Sequence, residues 1–430
     1  MVGNILLLAG ELVRSHNMKA TMMSAIPLLK TCLSIVAEFN LNRKDAQESV
    51  NLSEDASTKQ RRVRQQSLSG KKLGCSTLLI CALTCIQRIM DQFAPFVSQF
   101  LPDIIVQFCC ISGRYDDLSE GPSTLPIPAV DKSQVLNTTR SVILHRINLI
   151  RSALSKVELR VLQKHLSKAL VELSSEEYTK VAVLQKPLMN LFSLLESHFD
   201  QKNRVIVSQI RDTLMTEVFL KGFEYRARER NVEKFQCVMF VENSMFKALL
   251  AMAEVLTENT LRSVMTLFVD WAELGLKSAT TDHRCRLVTL FRFANRTQAV
   301  VLKNHIWQFR LMQNPSLLLT GKKGTMDGLE ADLLVTNVID FIANCAHHRE
   351  FFSQERTEIL IESLVNEILN TKLNGHKKRC VNHLSLALYY ISGIHPDSFQ
   401  TVLDKILLMT RSNKAKVRTS LNRRKDTTCV

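Results

Sequence analysis

The chain has 430 residues, 46% apolar and 23% charged, and its 56 Lys and Arg against 41 Asp and Glu leave a net charge of +15. That balance is globular and not disordered. The 13 Gly and 9 Pro, roughly half their usual share, together with 6% aromatics, exclude a β-sandwich, a barrel and a collagen-like or low-complexity chain.

At the N-terminus, Ile5–Ala9 is apolar but short, lacks a basic flank and runs into Glu11, so it is a poor match to a signal peptide. Ile26, Leu29, Leu33 and Val36 recur at three- and four-residue steps, which places them on one face of a helix. Residues 42–73 are polar and carry Lys59, Arg61, Arg62, Arg64, Lys71 and Lys72, as an exposed insertion or disordered loop would. Within it, Arg64-Gln65-Gln66-Ser67 is a candidate phosphosite whose modification would weaken an anionic contact. Helices are expected over 74–92 and 94–110, the second with Pro102 among apolar residues, as in HEAT helices. The longest apolar run, Leu78–Ile86, is broken by Thr84, so no membrane-spanning helix is expected. Pro122, Pro126, Pro128, Gly113 and Gly121 mark 112–138 as a linker.

A long helix is expected over 141–172. Between 140 and 168 stand seven Arg or Lys residues against one acid, Glu158. Wound at about 100° per residue, Ile143, Ile147, Ile150, Leu154, Val157 and Val161 form an apolar seam. On the same wheel Arg146, Lys156, Arg160 and Lys164 share a sector of about 80° beside it. Such a stripe neutralises phosphates without reading sequence; a merely solvated helix face has the same composition. The cluster at 59–72 and the stretch from Arg411 to Lys425 allow the same two readings, with nuclear import or RNA association as the functional one. A charge of +15 attracts RNA and acidic protein segments alike.

Further helices are expected over 180–198 and 205–224. Phe246, Leu249, Leu250, Ala253 and Leu256, then Leu261, Val264, Met265, Phe268 and Trp271 after a polar break, read as an αα-hairpin. The periodicity continues over 285–297, 332–346, 354–370, 378–392 and 398–410, with a loop at 320–328. The fold class expected is all-α, an α-solenoid of HEAT-like antiparallel helix pairs at a loose period of about 40 residues. The helix opened by Val417-Arg418 is not completed before Leu421, and no polar-faced cap is evident at either end, so the chain is expected to be part of a longer solenoid or an alternative or truncated product.

Reactive constellations are missing. Lys322-Lys323 lies in a glycine-bounded loop without Walker spacing or a preceding strand. His283-Arg284-Cys285 and His347-His348 have no second short-spaced pair for a zinc site. Neither a G-x-S-x-G elbow nor a Cys–His pattern of known type occurs. Glu176-Glu177 suits a helix start, where carboxylates favour the free amide ends. The 11 cysteines are scattered without a CxxC, as expected of reduced thiols in a cytosolic or nuclear compartment. The sequons at Asn51, Asn137 and Asn295 are then incidental. Cys81 and Cys85 suit a packed helix face, and Trp271 and Trp307 fall in apolar helical patterns, core packing being favoured over base stacking for Trp271. No catalytic, cofactor-binding or metal-binding residue is expected.

Leu220-Lys221-Gly222-Phe223-Glu224-Tyr225-Arg226-Ala227, Ala251-Met252-Ala253, Leu267-Phe268-Val269-Asp270-Trp271-Ala272-Glu273 and Arg286-Leu287-Val288-Thr289-Leu290 carry a family resemblance. This series resembles the C-terminal domain of the HEAT repeat-containing protein 1 family, very large nucleolar HEAT-repeat proteins of the small-subunit processome. Phe352-Ser353-Gln354-Glu355-Arg356 and the Leu407–Arg418 stretch are similar to the HEAT region that follows it. The likeness is most specific over 187–310 and extends over 335–421.

The organisation expected is therefore HEAT-like helices over 1–111 with the basic insertion at 42–73, a linker at 112–138 and a basic amphipathic segment at 139–186. The family's helical domain follows at 187–310, then a loop at 311–331, HEAT-like helices over 332–421 with the last repeat incomplete, and a basic tail at 422–430. The resemblance implies a non-enzymatic scaffold of the nucleus and nucleolus. It would support pre-rRNA transcription by RNA polymerase I and early 18S processing within a small nucleolar ribonucleoprotein assembly. Its implied partners are processome proteins and pre-ribosomal or small nucleolar RNA, touched directly or through those proteins. It implies no cofactor, no membrane and no small-molecule substrate. A HEAT adaptor of nuclear transport or chromosome organisation is the alternative with the same fold, and a helical enzyme would need a converging polar constellation.

Overall fold

The computed structural model describes residues 2–15, 18–41, 76–92, 97–116, 132–174, 185–228, 232–277, 281–308, 328–345, 348, 351, 353–370 and 377–407. The basic insertion at 42–73, most of the linker, the loop at 320–327 and the C-terminal tail lie outside them. The helices in chain order are α1 (Val2–Ser15), α2 (Met18–Leu41), α3 (76–92), α4 (Leu101–Asp116), α5 (Lys132–Ser155), α6 (Leu159–Leu173), α7 (Gln185–Glu196), α8 (Arg204–Leu214) and α9 (Lys221–Arg228). They continue with α10 (Val232–Val255), α11 (Glu258–Lys277), α12 (Thr281–Arg296), α13 (Val300–Gln308), α14 (Gly328–Cys345), α15 (Gln354–Asn370), α16 (Lys377–Ile394) and α17 (Pro396–Leu407). Among the described residues every element is helical, and the fold class is all-α, as the periodicity requires.

Two compact units divide the chain, Met1–Val218 with Asn231–Leu256, and Phe219–Arg230 with Thr257–Val430. In the first, α4 is the hub, packed against α2, α5, α6 and α7, while α7 also packs on α10. Pro102 and Asp103 sit in the first turn of α4, where a missing N–H costs nothing and a carboxylate meets the positive end of the helix. Ile104, Ile105, Val106, Phe108, Cys109 and Ile111 are all buried, the mark of a helix covered on several sides. Packing is close where α4 meets α7: a Cβ at Gly113 would stand 3.0 Å from the Lys186 Cβ and 3.2 Å from the Pro187 nitrogen. Arg88 on α3 pairs with Glu11 on α1 at 2.6 Å.

In the second unit, α12 packs on α9, α11, α13 and α14, then α14 on α16, and α15, α16 and α17 on one another. Its core is aromatic. Phe268 stacks on Phe223 at 5.4 Å and tilts against Phe293 at 5.5 Å, while Phe291 meets Phe341 edge-on at 5.5 Å. Trp307 bridges Phe341 and Phe351 at 6.0 and 5.9 Å. Such pairs add about 0.5–1.5 kcal/mol each beyond the area they bury.

Two expectations need correction. The helix expected over 141–172 is broken. The Lys156 and Val157 N–H groups bond to the Ala153 and Leu154 carbonyls three residues back, and Glu158 has extended ψ of 132° before α6 begins. The reason lies in the apolar residues. Ile143, Ile147, Ile150 and Leu154 are buried on α5 as the seam requires, but Val157 and Val161 are only half-buried. Restarting at Leu159 buries Leu159, Leu162, Leu166, Ala169, Leu170 and Leu173 instead, a larger apolar face than the continuous helix offers. The second correction concerns the linker expected at 112–138: α4 carries helix through Gly113 to Asp116, and α5 resumes it at Lys132. The two helices expected on either side of the polar break at 257–260 are present as α10 and α11, and the division between units falls at Leu256. Within their own units α10 packs on α7, and α11 on α12.

Gly113→Ala is expected to lower the unfolding free energy by about 1–3 kcal/mol, the usual cost of overpacking a tight contact. Urea denaturation followed by circular dichroism reads this, and an unchanged midpoint would mean that α4 and α7 do not pack this closely.

Candidate nucleic-acid interface

The four cations read as one stripe do not share one helix. Arg146 is on α5 and half-buried, with its Nε enclosed and lacking a hydrogen-bond partner. Lys156 is exposed in the turn before α6. Arg160 and Lys164 are exposed on α6, and Arg160 donates to the Gln209 Oε1 of α8. Arg160, Lys164 and Lys168 recur every four residues on the outer face of α6, all exposed. Two neighbours of Arg146 on α5 are tied down. Arg140 donates to the Tyr115 carbonyl at 3.2 Å. Arg151 donates to the Ser112 hydroxyl at 3.1 Å and lies over the Phe108 ring at 5.7 Å.

His165, between Lys164 and Lys168, is held below its ordinary pKa by burial and then by those two charges. Sequence reasoning passed over Lys168 as part of the row, although it fell within the counted basic stretch. The available signal was the leucine spacing at 159, 162, 166 and 170.

A second polar cluster sits within the residues that carry the family resemblance. Arg286 donates to the Glu224 Oε1 at 2.6 Å, lies over the Trp271 ring at 5.0 Å and reaches the Trp271 carbonyl at 3.4 Å. The Trp271 indole N–H donates to the same Glu224 oxygen at 3.3 Å. The Arg286 side chain is 11% exposed, so the carboxylate and the ring together compensate a largely desolvated guanidinium. The cluster joins α9, α11 and α12 and is structural in character. Trp271 and Trp307 are both buried, as core packing requires, and neither offers a face to a base.

The remaining candidates are packing groups. Cys32, Cys81, Cys85, Cys109, Cys110, Cys285 and Cys345 are free and buried. A Cys32–Cys85 hydrogen bond raises the Cys32 thiol and lowers that of Cys85. Burial pushes Cys110 and Cys345 up to about 12. Among the described residues no group of three His, Cys, Asp or Glu is placed to hold a metal ion, and no helix is long and apolar enough to cross a membrane. His348 stands edge-on to Phe351 at 5.6 Å; Lys322, Lys323 and His347 lie outside the described residues. An open cleft between α2 and α4 carries Lys30, Asp103, Gln107 and Glu172, a mixture of charges that selects no single ligand class.

Packed helix pairs with closed cores define a helical-repeat protein of HEAT type. The family profile of the BP28CT (NUC211) domain matches residues 207–352, a span that holds the Glu224–Trp271–Arg286 cluster and most of the aromatic core. The chain is 39% identical to the HEAT repeat-containing protein 1 homolog of Caenorhabditis elegans over 97% of its own length and 27% of that relative's. It is 26% identical to HEAT repeat-containing protein 1 of Danio rerio, covering 80% of this chain and 16% of the relative. The Homo sapiens protein of that name is 22% identical, covering 79% and 15%. The chain belongs to the HEAT repeat-containing protein 1 family. No solved structure matches it.

His305 supplies a test of this unit's interior. It is 6% exposed, its Nε2 has no hydrogen-bond partner, and burial followed by the Arg262 charge lowers its pKa. A folded pKa below the unfolded value of about 6.5 means that the unfolded chain takes the proton first, so stability falls as pH drops below that value. Thermal melts at about pH 7.5 and 5.5 are expected to show this loss in the parent chain and a smaller loss in His305→Gln. Equal losses would mean that His305 is not buried in its neutral form.

Proposed function

We propose that the chain is part of a non-enzymatic, nucleolar scaffold of ribosome biogenesis. Its membership of the HEAT repeat-containing protein 1 family over 97% of its length carries this reading. In it, helix pairs bury continuous apolar cores, and their outer faces hold processome proteins and pre-ribosomal or small nucleolar RNA. The scaffold supports transcription by RNA polymerase I and early small-subunit processing by holding components together, not by bond-making chemistry. No cofactor or small-molecule substrate has a role in it. Lys156, Arg160 and Lys164 supply the RNA contact from the turn and α6, with Arg146 contributing from α5. The net charge of +15 supports it by raising the local concentration of anionic partners.

The tagged full-length parent should concentrate in nucleoli and co-purify with early pre-ribosomes. A diffuse cytoplasmic signal, or transport factors or chromosome-organising subunits in place of processome proteins, would overturn the reading. Changing Arg146, Lys156, Arg160 and Lys164 together to Glu should lower RNA recovered by crosslinking while helical circular dichroism stays constant. Unchanged recovery would return these residues to a solvated surface.

A further inference from the structure

We infer that the row on α6 grips the phosphate backbone of double-stranded RNA and does not bind single strands through their bases. This rests on the RNA reading above and narrows it to one class of ligand. Arg160, Lys164 and Lys168 stand on successive turns, about 6 Å apart along the axis, so the row spans about 12 Å. Its direction is fixed, because Leu162, Leu166, Ala169 and Leu170 pin the opposite face into the core and α6 packs on α4. Lys156 extends the row through the preceding turn. Acidic residues of α6 do not interrupt it: Glu158 precedes the first turn, and half-buried Glu172 lies toward Cys110 and the α2–α4 cleft.

The composition of the surrounding surface decides between RNA classes. Single-strand binding sites combine a basic groove with aromatic faces on which bases stack. The large apolar side chains that the first unit exposes among its described residues are Ile5, Leu8, Val142, Val171 and Val205, all aliphatic. Among its residues whose side chains are described, Phe39 and Phe100 are half-buried, and Phe108, Phe192, Phe199, Phe246 and Tyr115 are buried. A straight row of cations with no exposed Phe, Tyr or Trp among the described residues of its unit suits a ligand whose phosphates are already held at fixed spacing, as an A-form duplex holds them. Duplex RNA is recognised through shape and phosphate contacts and not through base faces. Val171, 63% exposed, stands on the next turn beyond Lys168, and half-buried Glu172 ends the four-residue spacing.

The test is fluorescence anisotropy of the 430-residue chain with a labelled RNA duplex of about 20 base pairs, longer than the row, and with each of its strands alone. The duplex is expected to bind several-fold more tightly at equal phosphate concentration. Its log K should fall against log salt with a slope of about −3 to −4 for four phosphate contacts, and a Lys164→Gln/Lys168→Gln double variant should reduce that slope by about 2. The Lys→Gln changes are on an exposed face, and circular dichroism with a thermal melt verifies that the variant stays folded. Equal or tighter binding of the single strands, or a slope that the variant does not move, overturns the duplex inference while leaving RNA binding intact. Binding to neither RNA, with capture of an acidic polypeptide such as poly-glutamate, overturns both this inference and the RNA reading.

Discussion

The burial of one apolar face per helix sets what every other face of this chain is able to do. On α6 six residues from Leu159 to Leu173 are buried, and each leucine among them contributes about 1.5–3 kcal/mol. An exposed ion pair contributes about 0–1 kcal/mol. The leucines therefore decide how α6 is rotated, and the cations take whatever direction remains. A ligand cannot turn the helix to suit itself, so a binding row on such a helix is rigid because its back is packed. The same ranking explains the break at 156–158. In the turn the Lys156 and Val157 N–H groups keep hydrogen bonds to carbonyls three residues back, worth about 1 kcal/mol each net, while α6 gains its apolar inner face.

The second unit follows the same constraint with larger side chains. Phe268 is fully buried and touches Phe223, Trp271 and Phe293, so α9, α11 and α12 share one aromatic contact. Burying Trp271 brings its indole N–H inside, and burying α12 brings Arg286 with it. Glu224 satisfies both from a single oxygen. An indole N–H or a guanidinium left without an acceptor costs more than the bond gains, which makes the carboxylate at 224 a requirement of the aromatic packing. A polar trio of this kind resembles a reactive site in its residue types alone. The indole N–H and one guanidinium N–H meet at a single Glu224 oxygen, and a second guanidinium N–H turns to the Trp271 carbonyl.

Much of the fold was legible because helical spacing and burial rest on the same residues. The helices over 354–370 and 378–392 lie within one or two residues of α15 and α16, and Pro396 with Asp397 opens α17, as the preference for Pro and acids in a first turn requires. What misled was a seam that remained plausible after the chain had broken. Val157 and Val161 continue the period of Ile143–Leu154, and Ser155-Lys156-Val157-Glu158 contains neither Gly nor Pro to mark a stop. The competing register through Leu159, Leu162 and Leu166 was equally present. Choosing between them takes the depth of the groove beside α4, which no residue on α5 or α6 encodes. The candidate interface inherited that ambiguity, since a wheel drawn across a break assigns Arg146 and Lys164 to one sector when they stand on different helices. The partition between units at Leu256 was equally hidden, because α10 and α11 look like any hairpin until their other neighbours are known.

Family membership and surface chemistry answer different questions in a chain of this kind. Identities of 22–39% are compatible with one set of helix pairs, because cores accept volume-conserving exchanges among apolar residues at a cost below about 1.5 kcal/mol. The outer faces are under no such restraint. An exposed position exchanged for another polar residue changes stability by no more than about 0.5 kcal/mol, so surface charge drifts freely unless a partner holds it. A scaffold's fold can thus be inherited intact while its contacts are rewritten. The chain also spans 27% or less of its relatives' lengths. Outward residues are thus where a partner leaves its mark on such a chain, and among the described ones the row on α6 combines charge and exposure with a packed back.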